Sequence, residues 1–251
     1  MGYLITGFAF GTQPQWQRLG GLFPTFPGRG YKHRRASLFL WDVWKPNPRD
    51  TREHFPFSAG PIVPRDVQAP HSVPSTPVSD AFDRVCRRLE QNAGYPVYPA
   101  GWLGIPLLVA ATAGVPTYSF TADDESLDFA AFVDSGAIQT AGCRHHAFEL
   151  IVERNALSVK PLVNEEDDEE LDEELLASLV RMEGIKLLDT THIQGGSRIH
   201  DHPARLWPKG WGDPEQLLGL GTWDPFETFT EDFELVFETK PVNRPWWKFW
   251  N

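Results

Sequence analysis

The 251 residues of this acidic chain are enough for one large domain or two small ones, each with a hydrophobic core. Only two cysteines are present, which excludes a disulfide-stapled secreted framework and favours a reducing, cytoplasmic location. The formal net charge of −11 disfavours nucleic acid as a partner, and no run approaches the roughly 18 apolar residues of a membrane span.

The negative charge is concentrated in one place. Nine carboxylates occupy the ten positions Glu165–Glu174, and the rest of the chain is close to neutral. We therefore expect a single acidic arm and not a generally acidic surface.

The N-terminal residues Met1–Gly11 lack a basic head, and Gly7 and Gly11 interrupt their apolar run, so no secretory signal is expected.

The first quarter of the chain predicts two strands, Tyr3–Phe10 and Ser37–Trp44, because both are rich in aromatic and aliphatic residues. Between them, Arg29–Arg35 is the only dense basic cluster. We interpret it as an exposed loop that docks against the acidic arm, and contact with phosphate or RNA is the alternative. The proline-rich stretch Pro46–Pro77 predicts an irregular segment that wraps the domain or serves as a linker.

Two helices are predicted before the central sheet. The first begins with Thr76 as N-cap and Pro77 at the first helical position, and it ends at Gly94. Its apolar residues recur at helical spacing and predict a buried face: Val78, Phe82, Val85 and Leu89. The second helix, Ile105–Ala113, is apolar on nearly all sides and stops at Gly114, so it is expected to be buried.

The stretch Val115–Val163 predicts an antiparallel meander of strands. Its expected strands are Val115–Thr121, Leu127–Val133, Ala137–Gly142, Ala147–Arg154 and Leu157–Val163. Turns are expected at the acidic Ala122–Glu125, at Asp134-Ser135-Gly136 and at Asn155-Ala156. Phe148, Leu150 and Val152 alternate with Glu149, Ile151 and Glu153, which predicts one buried face and one face in water.

After the sheet, Glu165–Met182 predicts an acidic loop that becomes a helix, and carboxylates in its first turns suit the helix dipole. One face of this helix carries Leu171, Leu175, Leu176, Leu179 and Met182. The stretch Ile185–Phe229 is expected to be irregular, with packing anchors at Trp207, Trp211 and Trp223. Phe233–Thr239 alternates as a last strand, and the aromatic tail Pro241–Asn251 is expected to pack on the body.

The predicted fold class is therefore α+β, with an antiparallel β-sheet meander, a few helices and irregular segments rich in Pro, Gly and Trp. We expect a single domain over residues 1–251, with the acidic segment 164–174 as the alternative point of subdivision.

The strongest enzymatic alternative is a metal centre formed by His192, His200 and His202. Two imidazoles two residues apart on an extended chain project to the same side and can share a zinc or iron ion. Cys143-Arg144-His145-His146 is a second cluster, in which a thiol near imidazole could act as a nucleophile. The sequence lacks a Gly-rich phosphate loop and a nucleophile elbow, so we expect a protein without catalysis or cofactor.

The segment Leu107–Ala141, with TADDESLDFAAFVDSGAI at its centre, resembles segments of bacterial immunity proteins from toxin and antitoxin cassettes. This resemblance implies a stoichiometric inhibitor that binds a cognate toxin and blocks its active site or substrate groove. The expected partner is a basic protein such as a nuclease, because an acidic arm steers and complements positive charge. The expected partner-binding residues are Asp123, Asp124, Glu125, Glu165, Glu166, Asp167, Asp168, Glu169 and Glu170. A second alternative is a component of a larger bacterial assembly that docks through the aromatic tail.

Overall fold

A computed structural model describes residues 4–22, 28–43, 74–93, 102–123, 127–145, 148–164, 173–182, 184–189, 191–193, 206–213, 217 and 231–239. Most of the proline-rich stretch Pro46–Pro77, Trp223 and the tail Pro241–Asn251 lie outside these residues. The described residues form four helices and one mixed, mostly antiparallel sheet of eleven strands, which confirms the α+β class.

The helices are α1 (Trp16–Leu22), α2 (Pro77–Ala93), α3 (Gly104–Ala113) and α4 (Glu173–Val180). The first six strands are β1 (Leu4–Phe10), β2 (Gly28–His33), β3 (Phe39–Val43), β4 (Thr117–Asp123), β5 (Leu127–Asp134) and β6 (Ala137–His145). The remaining strands are β7 (Phe148–Glu153), β8 (Ala156–Asn164), β9 (Ile185–Leu187), β10 (Thr191–Ile193) and β11 (Phe233–Glu238). Among these helices, none is long and apolar enough to cross a membrane.

Strands β4 to β8 lie side by side in chain order, each antiparallel to the next. Beyond β4 the order continues with β1, β3, β2 and β11, again in antiparallel pairs. On the other edge, the short strands β9 and β10 both pair with β8 and run parallel to it. The first strand of the chain, β1, therefore lies inside the sheet, with β4 to β8 on one side of it and β3, β2 and β11 on the other.

Two tight turns fix the register of the central strands. Ser135 and Gly136 join β5 to β6 with φ values of 51° and 78°, so the predicted turn is confirmed. Arg154 and Asn155 join β7 to β8 with φ values of 49° and 63°, one residue earlier than predicted. Positive φ at both central residues matches the right-handed twist of the flanking strands.

Helix α2 begins as the sequence predicts. Thr76 Oγ1 accepts a hydrogen bond from Ser79 N at 3.1 Å, and Ser79 Oγ accepts one from Thr76 N at 2.7 Å. These reciprocal bonds satisfy two backbone donors at the helix start. The predicted apolar face is buried, with Phe82, Val85 and Leu89 all at 0% exposure. Helix α3 is also confirmed: it is mostly buried, and Gly114 ends it in the left-handed conformation with φ of 70°.

The sheet is covered on both faces. Residues of α2, α3 and α4 pack with β5 to β8 in one core cluster, and α1 and α3 pack with β1 and β3 in another. The opposite face is covered around Tyr118 and Phe120 by the segment that carries Leu206, Trp207 and Trp211. Trp207 meets Tyr118 edge-on at 4.8 Å between ring centroids. The prediction of Trp207 and Trp211 as packing anchors is confirmed.

The expectation of an exposed loop at Arg29–Arg35 is wrong for Arg29–His33, which belongs to strand β2. Helix α1 also lies between the first two predicted strands, where no helix is predicted from the sequence. A Cβ on Gly30 would stand 2.6 Å from a ring carbon of Trp16, so glycine permits the tryptophan of α1 to lie against the strand. Arg29 pairs with Glu238 and Arg35 with Asp232, whereas most of the acidic arm, with which docking is expected, lies outside the described residues.

Two predicted alternations are also wrong in part. Glu149 of β7 is only 4% exposed, because the face assigned to water is covered at this position. It stands in register between Arg144 of β6 and Lys160 of β8. Leu235 of β11 is 52% exposed although the alternation predicts it to be buried. The register of β11 on β2 then shifts between Leu235 and Phe237, which interrupts the alternation.

We predict that Gly30→Ala destabilises the protein by about 1–3 kcal/mol, because the new methyl group displaces the Trp16 ring from its packed position. Gly21→Ala is the matched control, since a Cβ at Gly21 meets nothing within 4 Å. Urea unfolding followed by circular dichroism measures both. Equal stability of the two variants would contradict the assigned contact between α1 and β2.

Candidate partner-binding site

The two groups of predicted partner-binding residues attach to the same end of the sheet. Strands β4, β6 and β8 run in one direction, because each is antiparallel to the strand between them. Asp123 is the last residue of β4, and Asn164 is the last residue of β8. Asp124 and Glu125 follow the first of these ends in the chain, and Glu165, Glu166, Asp167, Asp168, Glu169 and Glu170 follow the second.

We call this end of the strands the acidic end of the sheet. It is defined by the last residues of β4 and β8 and by the carboxylates that follow them in the chain. Of the predicted residues, only Asp123 falls among those that the structure describes. Three strands separate β4 from β8, so the two attachment points are about 19 Å apart at the usual spacing of about 4.8 Å between strands. A standard protein interface of about 800 Å² per partner covers this distance.

The acidic segment, which is the acidic arm Glu165–Glu174, is attached to the core at both of its ends. Before it, Leu157, Val159 and Leu162 of β8 are buried. After it, Leu175 and Leu179 of α4 are buried in the same cluster as α2 and β8. The predicted helix is therefore confirmed from Glu173 onward, with Leu176 and Met182 packed at its margin, whereas Leu171 lies outside the described residues.

Helix α4 lies in the chain between the acidic end and the start of β9. Strand β9 runs parallel to β8 and pairs with its beginning, at Leu157–Val159. The chain must therefore return from Asn164 to the opposite end of the sheet, and α4 lies on that return path. Glu173 and Glu174 are in its first turn and are exposed.

A polar groove of about 650 Å³ lies between α2 and α4. Its charged lining consists of Arg88 on α2, Glu173 and Glu174 at the start of α4, and Arg181 just after α4. Arg88 Nε donates a hydrogen bond to Ser178 Oγ at 3.2 Å, which ties the two helices together across the groove floor. The groove therefore offers charges of both signs next to the acidic segment.

Sequence reasoning did not find this groove. Arg88 and Ser178 are 90 residues apart, and neither stands in a recognisable motif. The available signal was the polar face of α2, where Arg84, Arg87 and Arg88 are exposed. Only the order of strands places α4 against that face.

The candidate metal ligands are only partly placed. His192 belongs to β10 and stands in register with Val163 of β8, and His200 and His202 lie outside the described residues. The next pair, Ile193 with Asn164, puts the end of β10 at the acidic end. Within the described part of the chain, no group of three or more His, Cys, Asp or Glu residues could hold a metal ion.

Both cysteines are buried in the helix-covered core. Cys143 of β6 is 2% exposed and lies in register between Phe129 and Leu150, and Cys86 of α2 is 3% exposed. Burial raises the pKa of the Cys86 thiol well above its ordinary value, and the nearby Cys143 raises it further. In the predicted cluster Cys143-Arg144-His145-His146, His145 of β6 stands opposite Phe148 of β7 in the strand register, and His146 lies outside the described residues.

Comparison with known proteins found no family model, no curated protein and no solved structure that matches this chain.

We predict that neither thiol reacts with a disulfide reagent in the native protein at pH 8, because reaction needs an accessible thiolate. Absorbance after addition of the reagent should show no released thiolate over minutes. In denaturing urea the same protein should release two equivalents, one for each cysteine. Rapid modification in native buffer would contradict the assigned burial.

Proposed function

We propose that this chain is a non-catalytic binding protein whose acidic end binds and blocks a basic protein partner, in the manner of an immunity protein that neutralises a bacterial toxin. The observation that supports the proposal is that the two sets of acidic residues follow β4 and β8, which finish at the same end of one sheet. The resemblance of Leu107–Ala141 to immunity-protein segments gives the proposal its inhibitory form.

Electrostatics favours a basic partner at this end. Nine carboxylates lie between Glu165 and Glu174, and three more come from Asp123 at the end of β4 and from Asp124 and Glu125, which follow it in the chain. Such a concentration of one sign accelerates the encounter with an oppositely charged surface. The strand ends to which the two groups attach are about 19 Å apart, which exceeds the screening length of about 8 Å at physiological salt, so we expect each group to act on its own part of the partner.

The attachment of the acidic segment lowers the cost of binding. A free acidic tail loses much conformational freedom when a partner orders it. Here buried residues of β8 and α4 fix both ends of the segment, so fewer conformations remain to be lost.

The groove between α2 and α4 adds selectivity. A partner that offers only positive charge meets Arg88 and Arg181 as well as Glu173 and Glu174. Correct partners must therefore present an acidic or polar group to the arginines beside their basic surface. Like charges that are brought together in a wrong complex oppose binding, which separates the cognate partner from other basic proteins.

The test compares two variants with the same change in net charge. The first carries Glu165→Gln, Glu166→Gln, Asp167→Asn and Asp168→Asn. The control carries Glu153→Gln, Asp189→Asn, Glu231→Gln and Glu234→Gln, all at exposed positions outside the acidic end. The wild-type chain is first isolated gently from its own host, and native mass spectrometry identifies the stoichiometric partner.

We expect a 1:1 complex with a basic protein whose toxicity on expression the wild-type chain suppresses. The acidic-end variant should associate with this protein roughly tenfold more slowly and with weaker salt dependence, because it has lost steering charge. The control variant should stay within roughly twofold of wild type. Unchanged association and salt dependence in the acidic-end variant would refute the proposal.

A further inference from the structure

The last residue of β2, His33, is a buried histidine in a constrained hydrogen-bonding state. His33 is only 4% exposed, and its ring packs edge-on against the ring of Phe233 in β11, with 4.9 Å between the ring centroids. Its Nδ1 accepts backbone N–H bonds from Arg35 at 3.1 Å and Ala36 at 3.0 Å. A ring nitrogen that accepts these bonds carries no proton, so the imidazole is neutral with its proton on Nε2.

Protonation is incompatible with this arrangement. The imidazolium ion carries a proton on both ring nitrogens, so Nδ1 would point an N–H at two N–H donors. Both hydrogen bonds would be lost, and a charge would be placed in a buried position against the ring of Phe233. The bend that follows β2, at residues 34–37, would lose the side-chain acceptor that holds it.

The same bend also contacts Asp232, the residue just before β11. Arg34 N donates to the carbonyl oxygen of Asp232 at 2.7 Å, and a guanidinium nitrogen of Arg35 lies 3.6 Å from the Asp232 carboxylate. The register continues with His33 opposite Phe233. Loosening the bend therefore removes the contacts that position the first residues of β11.

The charged groups around the ring act in opposite directions. Burial, the largest effect, lowers the pKa of His33 below the ordinary 6.5; Asp232 on the β11 side raises it, and Arg35 on the bend lowers it. On the other side, His33 N donates to the carbonyl of Leu38 beside β3, which brings no charge. In the next register pair, Lys32 stands opposite Glu234.

We propose that His33 is an acid-sensitive latch for β11: its protonation detaches the start of β11 from β2 while the central strands stay paired. Strand β11 pairs with β2 alone among the described strands, so no other described pairing resists its release. The far end of β11 has attachments that do not involve His33, since Thr239 N donates to the Gly28 carbonyl at 2.8 Å and Arg29 binds Glu238. Opening therefore begins at Phe233 and exposes its ring.

The direction of the pH effect follows from the lowered pKa. In the open state His33 titrates near 6.5, and in the latched state it titrates lower. The open state therefore binds more protons between these two values, and the stability of the latch falls as the pH decreases through this range. Above an ordinary histidine pKa the latch keeps its full stability.

Hydrogen exchange with mass spectrometry tests the latch on the full chain. Peptides that cover β11 are compared with peptides from β5 and β6 between pH 7.5 and pH 5.0, after correction for intrinsic exchange rates. We expect protection of β11 to fall several-fold, and at most roughly 30-fold, the limit set by an open-state pKa of 6.5 at pH 5.0. Protection of β5 and β6 should stay unchanged.

His33→Asn provides the matched variant. Its side-chain oxygen can accept the same two backbone bonds, but it takes no proton in this range. We expect this variant to lose the pH dependence of β11 exchange, whereas His33→Ala should exchange rapidly at both pH values. The same acid response in His33→Asn, or simultaneous loss of protection in β5 and β6, would overturn the proposal.

A second measurement does not depend on any variant. Nitrogen chemical shifts of the His33 ring at pH 7.5 report which nitrogen carries the proton. The proposal requires the tautomer protonated on Nε2, and a proton on Nδ1 would overturn it. The latch is independent of the proposed partner-binding function, since neither measurement involves a partner.

Discussion

The alternating direction of β4 to β8 is the constraint on which the candidate site depends. At one end of these strands the chain reverses within two residues, at Ser135-Gly136 and at Arg154-Asn155. Both of these turns have positive φ at the two central residues, and their length leaves no room for additional functional residues. The longer connections after β4 and β8 must therefore leave from the opposite end. Both groups of carboxylates therefore follow strands that finish at the same end of the sheet.

Coverage of both sheet faces explains the buried polar side chains. A strand residue that points away from the helices would reach water in a two-layer protein, but here the segment around Trp207 covers part of that face. Glu149 and His33 also lie in the interior despite their polarity. Burial of a polar group is tolerated when hydrogen bonds replace water, as the two N–H donors to His33 do. The same replacement makes the site sensitive to a proton.

Features determined by a few neighbouring residues could be predicted from the sequence. Thr76 and Pro77 specify the start of α2, and Asp134-Ser135-Gly136 specifies a hairpin turn with no help from distant residues. By contrast, β2 lies between β3 and β11, and Glu238 of β11 is 209 residues from its partner Arg29. Local composition shows only a basic cluster there. The three-residue strands β9 and β10 have no local signal either, because β8 supplies their hydrogen-bonding partners.

The order of strands also separates the two proposed activities. Seven strands lie between β8, which leads into the acidic segment, and β11, which His33 holds. At about 4.8 Å per step this distance is about 38 Å along the sheet, several times the screening length of about 8 Å. The carboxylates after Asn164 therefore have little influence on the protonation of His33. Any coupling between partner binding and release of β11 would have to pass through the paired strands between β8 and β11.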